Sequence, residues 1–382
     1  MGEPAGLPYP REALLRSPGR IAVNRNRIYP VFLPHLGCTF RCVYCNQNVT
    51  SGTAPFSRDP SRVLPRILED IEELSRSAVA CRKPGQIAFY GGTFTALPTE
   101  ILEEVLDAAA FHVRRGTFTG IRFSTRPDAV TRTVCSLLKS FPVQTVELGV
   151  QSLSDEVLRE SRRGYGADAV LDALQRVRSS RWDVGFQLMP GLPGDSPDRF
   201  LGTVTDTLAM KPDFVRLYPV LVLPGTTLAG WYEAGRYRPL SFEEAIRWCA
   251  RAYDRFHGAG IRVVRMGLHA GPELTNPGSV LAGPFHPSFG YLVRVRWWRN
   301  RIDEAIRTRP AFGKGARLIL WVGERFVSEV LGPDRSNVSY WLECRGLENV
   351  QVQGDKNLHR GEYRIVLESE SMPRPQGERS FS

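Results

Sequence analysis

Ile28-Tyr-Pro-Val-Phe-Leu-Pro34-His-Leu-Gly-Cys38-Thr-Phe-Arg-Cys42-Val-Tyr-Cys45 is the stretch from which the fold is read. Its first seven residues form a short apolar run rich in β-formers, the signature of a buried strand. A loop follows that carries three cysteines spaced by three and then two residues. That spacing lets three thiolates converge from one loop, and thiolates bind zinc or iron–sulfur clusters. A structural zinc ion or cluster normally takes four ligands, so three leave one metal position open for a substrate or cofactor. Two other readings compete. Cysteines at i, i+4 and i+7 could form a buried helical stripe, which Gly37, Thr39 and Arg41 oppose. A zinc site could also recruit His35 as its fourth ligand.

Outward from this stretch the chain alternates short apolar runs with amphipathic ones. Strands are expected at Ile28–Pro34, Gln86–Gly91, Gly120–Thr125, Thr145–Gln151, Trp182–Met189 and Phe214–Leu221, with a seventh at Ile261–Met266. Helices are expected near Arg62–Ser77, Thr99–Val113, Asp128–Lys139, Ala167–Ser179 and Pro197–Met210. Ser241-Phe-Glu-Glu244 opens a further helix with a capping-box pattern. Repeated βα units imply a parallel sheet, and six in a row imply an α/β fold built on a partial (β/α)6 barrel. Beyond the barrel, a strand at Ala316–Val322, helices near Glu324–Leu331 and Ser336–Cys344, and strands near Asn349–Gln353 and Glu362–Leu367 make a small C-terminal α+β domain. The expected organisation is an N-terminal extension (1–27), a core barrel (28–270), a basic linker or helical segment (271–315), the α+β domain (316–370) and a disordered tail (371–382).

Length and composition set the frame. A chain of 382 residues has room for about two domains, and 42% hydrophobic with 24% charged residues rules out wholesale disorder. No apolar run approaches the roughly 18–20 residues of a membrane helix. The opening residues lack a secretory pattern, so the cytoplasm is expected and no membrane association. Seven cysteines, an odd number, argue against a disulfide framework. Cys81, Cys135, Cys249 and Cys344 are expected to be core thiols. His269 and His286 are expected near the barrel mouth in structural roles. The formal net charge is +10, and Tyr291–Arg317 alone carries eight bases against two acids, a net of +6.

Polar residues recur where the expected strands end, which is where a (βα) barrel builds its site. The second strand runs into Phe89-Tyr90-Gly91-Gly92-Thr93-Phe94 and the third into Ser124-Thr125-Arg126-Pro127-Asp128. The fourth reads Val146-Glu-Leu-Gly-Val-Gln151-Ser152, and the fifth Gly185-Phe-Gln187-Leu-Met-Pro-Gly-Leu-Pro-Gly-Asp195. The C-x3-C-x2-C loop, with Tyr44 before its last cysteine, resembles the signature of radical S-adenosylmethionine enzymes. Together with Arg162-Arg163-Gly164-Tyr165, Val215-Arg-Leu-Tyr-Pro219 and Ala234-Gly-Arg-Tyr237, the text over about Pro30 to Leu268 is similar to the Elongator catalytic subunit and its short bacterial relatives.

That resemblance implies a [4Fe–4S] cluster on Cys38, Cys42 and Cys45, with S-adenosylmethionine on the fourth iron. One-electron reduction would then cleave the sulfonium to a 5′-deoxyadenosyl radical. The resemblance implies cofactor contacts from Tyr44, Gly91, Gly92 and Thr93, with the glycines meeting the methionyl amine. Gln151 and Arg163 are expected at the ribose or carboxylate, followed by Ser124, Arg126 and Gln187. No residue is assigned to catalysis on the substrate. The implied partners are tRNA or another RNA and a flavodoxin- or ferredoxin-type electron donor. The Elongator subunit has a longer cysteine loop and continues into an acetyltransferase domain. No acetyl-CoA loop is read after Pro310, so the expected type lacks that domain. The alternatives are a haem-pathway protein like oxygen-independent coproporphyrinogen oxidase, which the absence of acidic residues at Ser124 and Gln187 weakens, or a non-catalytic metal-containing RNA-binding protein.

The C-terminal βααβ pattern is similar to the KH module, in which a G-x-x-G loop clamps nucleic-acid backbone. Gly332-Pro-Asp-Arg335 lacks the second glycine. Arg294, Arg296, Arg299 and Arg301, interleaved with Trp297 and Trp298, and Arg335 are the expected nucleic-acid contacts. A ligand-free α+β lid is the competing reading.

Overall fold

In a computed structural model of the chain, residues 27–51, 59–269, 271–308 and 315–368 are described. The expected N-terminal extension and C-terminal tail lie outside them. The described residues divide into two compact units, one ending at Gly290 and the other beginning at Tyr291.

The first unit is a seven-stranded, wholly parallel sheet in sequential order. Its strands are β1 (Arg27–Phe32), β2 (Gly85–Tyr90), β3 (Phe118–Thr125), β4 (Val143–Gln151), β5 (Asp183–Leu188), β6 (Phe214–Leu217) and β7 (Arg262–Met266). Helices connect them, as parallel pairing requires. Each expected strand is present within a few residues, the seventh included. The helices Ala167–Ser179 and Pro197–Met210 have the expected bounds.

Eight of the nine residues of β4 are buried, with Thr145 and Glu147 set among the apolar ones. The helices bury one stripe. Helix Thr99–Arg114 turns Leu102, Val105, Leu106, Ala109 and Ala110 inward, the 3.6-residue period of an amphipathic helix. Ser241 and Glu244 close the capping box at the start of helix Phe242–Gly258. A stack of Phe89, Phe94 and Phe123, with ring centroids 4.8 and 5.0 Å apart, fixes the turn after β2 against β3. On β5, a Cβ at Gly185 would lie 2.2 Å from the Phe214 ring, so only glycine lets that ring pack across the sheet.

The second unit holds a three-stranded sheet in the order β10 (Tyr363–Glu368), β8 (Arg317–Gly323), β9 (Asn349–Asp355). β8 is parallel to β9 and antiparallel to β10. The expected βααβ order is present, with helices Val327–Leu331 and Ser336–Arg345 between β8 and β9. The stretch expected as one basic linker is divided: residues 271–290 group with the barrel, and from Tyr291 helix Phe289–Arg307 belongs to the second unit.

That helix is the core of its unit. Trp297 and Trp298 are almost fully buried. Arg294 Nε bonds Glu329 Oε1 at 2.6 Å, Arg299 Nε bonds Asn337 Oδ1 at 2.7 Å, and Arg301 Nε reaches the Gly361 carbonyl at 3.3 Å. The guanidinium groups of Arg299 and Arg301 also lie over Tyr340 and Trp297. The Arg–Trp alternation therefore describes a buried helix face with arginine stems wrapped round it, not the free nucleic-acid-binding strip expected for Arg294, Arg299 and Arg301. Arg296 also has an interaction of its own within the structure. Arg335 is exposed on the loop between the two short helices. It holds φ +58°, the left-handed conformation a second glycine would adopt there.

Cys135 and Cys249 are buried as expected. Cys81 and Cys344 are exposed, each at the end of a helix rather than on its inward face. Among the described residues no helix is long and apolar enough to cross a membrane.

Candidate functional site

Because all seven strands run the same way, every C-terminal strand end opens on one side of the sheet. The loop after β1 crosses that side. His35 and Gly37 take left-handed backbone conformations, with φ +59° and +70°, that turn the chain back on itself. The Gln47 amide then fastens the loop: its Oε1 accepts the N–H of His35 and, at 2.7 Å, that of Gly92. Asn46 Nδ2 bonds the Pro224 carbonyl at 2.7 Å. Cys42, Cys45 and Tyr44 seat on an apolar cluster of Val43, Val157, Leu192, Val220 and Leu228.

The three thiols lie close enough to feel one another. Burial pushes Cys38 and Cys45 above the ordinary thiol range, Cys45 strongly; Cys42 adds to both rises and Cys38 to that of Cys45. Thr93 Oγ1 sits 3.4 Å from Cys38 Sγ and partly offsets it. Among the described residues, no three His, Cys, Asp or Glu side chains gather about a single metal-ion point. His35 Nε2 accepts the Gln47 N–H at 3.0 Å. A cluster suits the donor set better, since each thiolate then binds a different iron.

Gly91 and Gly92 make a close approach, but to the cysteine loop. A Cβ on Gly92 would lie 2.2 Å from the Leu36 carbonyl oxygen, and Thr93 N–H bonds that same oxygen at 2.7 Å. The glycines thus dock the loop on β2, where the sequence reading assigned them to the methionyl amine.

Gln151 ends β4 with φ +67° and breaks the β4–β5 register. Its side chain is 8% exposed, and Oε1 has no hydrogen-bond partner. A buried amide oxygen left unpaired in a left-handed residue is what a ligand hydroxyl would complete. Ser124 and Gln187 are half-buried on β3 and β5.

Arg126 and Arg163 converge on Cys42. Arg126 is gripped by both oxygens of Asp128 at 2.9 and 2.8 Å and donates to the Arg163 carbonyl. Arg163 Nη1 reaches Cys42 Sγ at 3.0 Å and Tyr44 Oη at 3.1 Å, and Nη2 reaches the Gly149 carbonyl at 2.6 Å. The sequence reading missed Tyr165, whose ring carries both guanidinium groups at 5.1 and 5.0 Å and whose hydroxyl accepts from Arg163. It also missed Gln47. Tyr165 lay inside the quoted Arg-Arg-Gly-Tyr text, whereas nothing local marks Gln47.

Below this level Glu147 on β4 is fully buried between Arg216, at 2.6 Å, and Arg122, at 2.8 Å, and it accepts a bond from Tyr90. Burial would raise its carboxyl, but Arg216 and then Arg122 outweigh that and hold it below the usual range.

A cavity of about 630 Å³ opens beside the turn after β5, lined by Asp195, Trp231, Arg236, Tyr237 and Arg247 among others; none of the cysteines lines it. Asp195 accepts the N–H groups of Gly191 and Ser196 at 2.9 Å each, yet burial prevails and lifts its pKa to about 6. The unfolded chain loses this proton near the ordinary value of 3.8. The stability Asp195 contributes is therefore present at low pH and declines as pH rises from about 4 through about 6. Unfolding free energies measured over that window should show wild type losing ground to Asp195→Asn as pH increases. A constant difference would contradict the burial of this carboxyl.

Residues 32–206 match the family described as the radical SAM superfamily, and residues 212–299 match the radical SAM C-terminal domain. Elongator complex protein 3 of Bos taurus is 28% identical over 276 residues, 62% of this chain and 50% of that protein. The tRNA uridine(34) acetyltransferase of Methanocaldococcus jannaschii is 26% identical over 274 residues, 63% of this chain and 50% of that protein. The chain thus spans about half the length of the curated relatives it matches. Among solved structures, the Elp3 protein of Methanocaldococcus infernus with an N-terminal deletion aligns with a TM-score of 0.53 and 21% identity, covering 81% of this chain and 68% of that one. This last likeness is one of fold.

Proposed function

Because the chain belongs to the radical SAM superfamily, we propose that Cys38, Cys42 and Cys45 hold a [4Fe–4S] cluster beside S-adenosylmethionine and that the enzyme modifies an RNA, with tRNA as the leading substrate. The observation that carries the first part is the convergence of three thiols from one loop, beside a buried arginine, at the C-terminal ends of a parallel sheet. When bound, the two groups supply one-electron cleavage of a sulfonium and hydrogen-atom abstraction.

The chain's own residues provide the setting. Gln151 Oε1 is placed to accept a ribose hydroxyl. Thr93 orients Cys38. Tyr44 and the apolar cluster beneath it support the cysteine loop. Electrons come from a flavodoxin- or ferredoxin-type donor, and a reducing cytoplasm suits the four remaining thiols, Cys81, Cys135, Cys249 and Cys344.

The RNA part is supported by the relatives named as tRNA uridine modifiers. On the second unit, the exposed loop carrying Arg335 is the better candidate contact, since Arg294, Arg299 and Arg301 are engaged internally. The test is anaerobic reconstitution with iron and sulfide, then measurement of 5′-deoxyadenosine with reductant, with and without tRNA. Formation stimulated by tRNA is expected. Stimulation by a porphyrin and not by tRNA would overturn the RNA part, and a chain that takes up no cluster would overturn the whole.

A further inference from the structure

Beside the cysteine loop lies a patch of aromatic rings and uncommitted cations. Thr39, Phe40 and Arg41, the tip between the first two thiols, are exposed, Phe40 by 45%. A single exposed phenyl ring needs no explanation, but this one has neighbours. It stands over Gly164, where a Cβ would lie 2.8 Å from Phe40 Cε1, and the Arg126 guanidinium lies 4.9 Å from its centroid. Two residues before Gly164, Arg162 is exposed and holds φ +53°. Its guanidinium lies 5.7 Å from the centroid of Trp231, and that of the exposed Arg236 lies 5.4 Å from the same centroid. Trp231, on helix Thr227–Glu233, packs against the apolar cluster that also seats Cys42 and Cys45. Asp128 pairs with Arg126 and Glu244 with Arg238. Among the described residues Arg41, Arg162 and Arg236 have no carboxylate at ion-pair distance. One indole thus holds two exposed guanidinium groups in place, which lowers the ordering cost when an anionic partner arrives.

We propose that this patch is the docking surface for an acidic flavodoxin, with the apolar edge of its flavin on Phe40 and its carboxylates against Arg41, Arg162 and Arg236. This rests on the cluster reading above and gives the electron donor a place on the chain. Charge complementarity carries the choice of partner. Arginine and large aromatic residues are enriched at protein interfaces, and redox partners meet through small interfaces steered by opposite charge. One electron leaves the flavin hydroquinone anion, which becomes the neutral semiquinone, and enters the oxidised cluster, which passes from the 2+ to the 1+ state; no proton moves. RNA is the other polyanion. Its target atom has to reach the cofactor, on the side marked by the unpaired amide oxygen of Gln151. A carrier protein needs only to come near the sulfurs, and this patch flanks the loop that holds them.

The test measures binding of oxidised flavodoxin to the full chain, both reconstituted and iron-free, at low and high salt. Wild type is compared with the double variant Arg162→Glu/Arg236→Glu, with Arg41→Glu and with the control Lys139→Glu. Lys139 is exposed and closes helix Arg132–Leu138 at the entry to β4, the end of that strand remote from the thiols. Wild type should bind, and more weakly as salt rises. The double variant should weaken binding by about tenfold, since reversing rim charges slows steered association, and Arg41→Glu should shift it in the same direction. Lys139→Glu should match wild type. Stopped-flow oxidation of flavodoxin hydroquinone by the reconstituted chain should slow in parallel, while dithionite, which needs no docking surface, reduces the cluster equally in every variant. The proposal is overturned if wild type does not bind flavodoxin, if the double variant binds it like wild type, or if Lys139→Glu weakens binding as much. It is also overturned if the double variant loses binding of a [2Fe–2S] ferredoxin or of tRNA and not of flavodoxin. Wild type that takes up no cluster fails the underlying reading instead, and flavodoxin binding to the iron-free chain still reads the surface.

Discussion

Replacing Cys38, Cys42 and Cys45 together by alanine is expected to lower bound iron and sulfide to background and to abolish 5′-deoxyadenosine formation, with the fold retained. The thiols stand on a loop that other groups secure. Gln47 ties it to His35 and Gly92, Asn46 ties it to Pro224, and Val43 exchanges backbone bonds with Ser161 and Leu228. None of these contacts uses a sulfur. The loss of three partly exposed thiols therefore removes the ligands without removing the scaffold. Iron and sulfide per chain, far-ultraviolet circular dichroism and a melting curve check the three parts separately. Full iron content in the triple variant would place the cluster elsewhere. One zinc per chain in wild type would favour the zinc reading.

Glu147→Gln is expected to cost about 3–5 kcal/mol of unfolding free energy, the range for removing one partner of a buried ionic group. Glu147 is inaccessible to solvent and answers two arginines, Arg122 from β3 and Arg216 from β6. An amide there leaves Arg122 and Arg216 half-buried with no carboxylate between them, and it offers Tyr90 only one acceptor oxygen. Denaturant unfolding measures the loss. The pH dependence gives a second check. The folded carboxyl titrates below its unfolded value of 4.5, so its stabilisation is complete above that value and disappears as pH falls through the folded one. The gap between wild type and Glu147→Gln should therefore narrow on acidification. A gap that is small at neutral pH would mean that the arginines find other partners or water when the charge is withdrawn.

Most of the first unit was legible because its signals are local. A largely buried strand is rich in apolar and β-branched residues, and a helix on a sheet repeats its apolar residues every three or four positions. Most of the seven strands and the helices from Thr99 to Met210 carry those signals without reference to distant residues. The second unit shows where such rules stop. Alternating arginine and tryptophan fits a nucleic-acid strip and a buried helix equally well, because both need an aromatic face flanked by long cationic stems. Only the neighbours distinguish them, and here those are Glu329, Asn337 and Gly361. Cys81 and Cys344 were misread for the same reason: thiol chemistry does not say which side of a helix end meets solvent.

The candidate site divides along the same line. The three cysteines were legible because their spacing lies within one loop and thiolate chemistry is specific. The sequence by itself determined the parallel barrel and singled out Cys38, Cys42 and Cys45 as candidate ligands; the left-handed backbone and unpaired amide oxygen of Gln151 came from the structure. Tertiary structure alone decided that Gly92 docks the cysteine loop, that Glu147 bridges two arginines, and that Asp128 grips Arg126 while Arg163 reaches Cys42. Those outcomes depend on which charges meet across strands far apart in the chain. Burial magnifies the energy of each such meeting, and no local pattern of residue types encodes it.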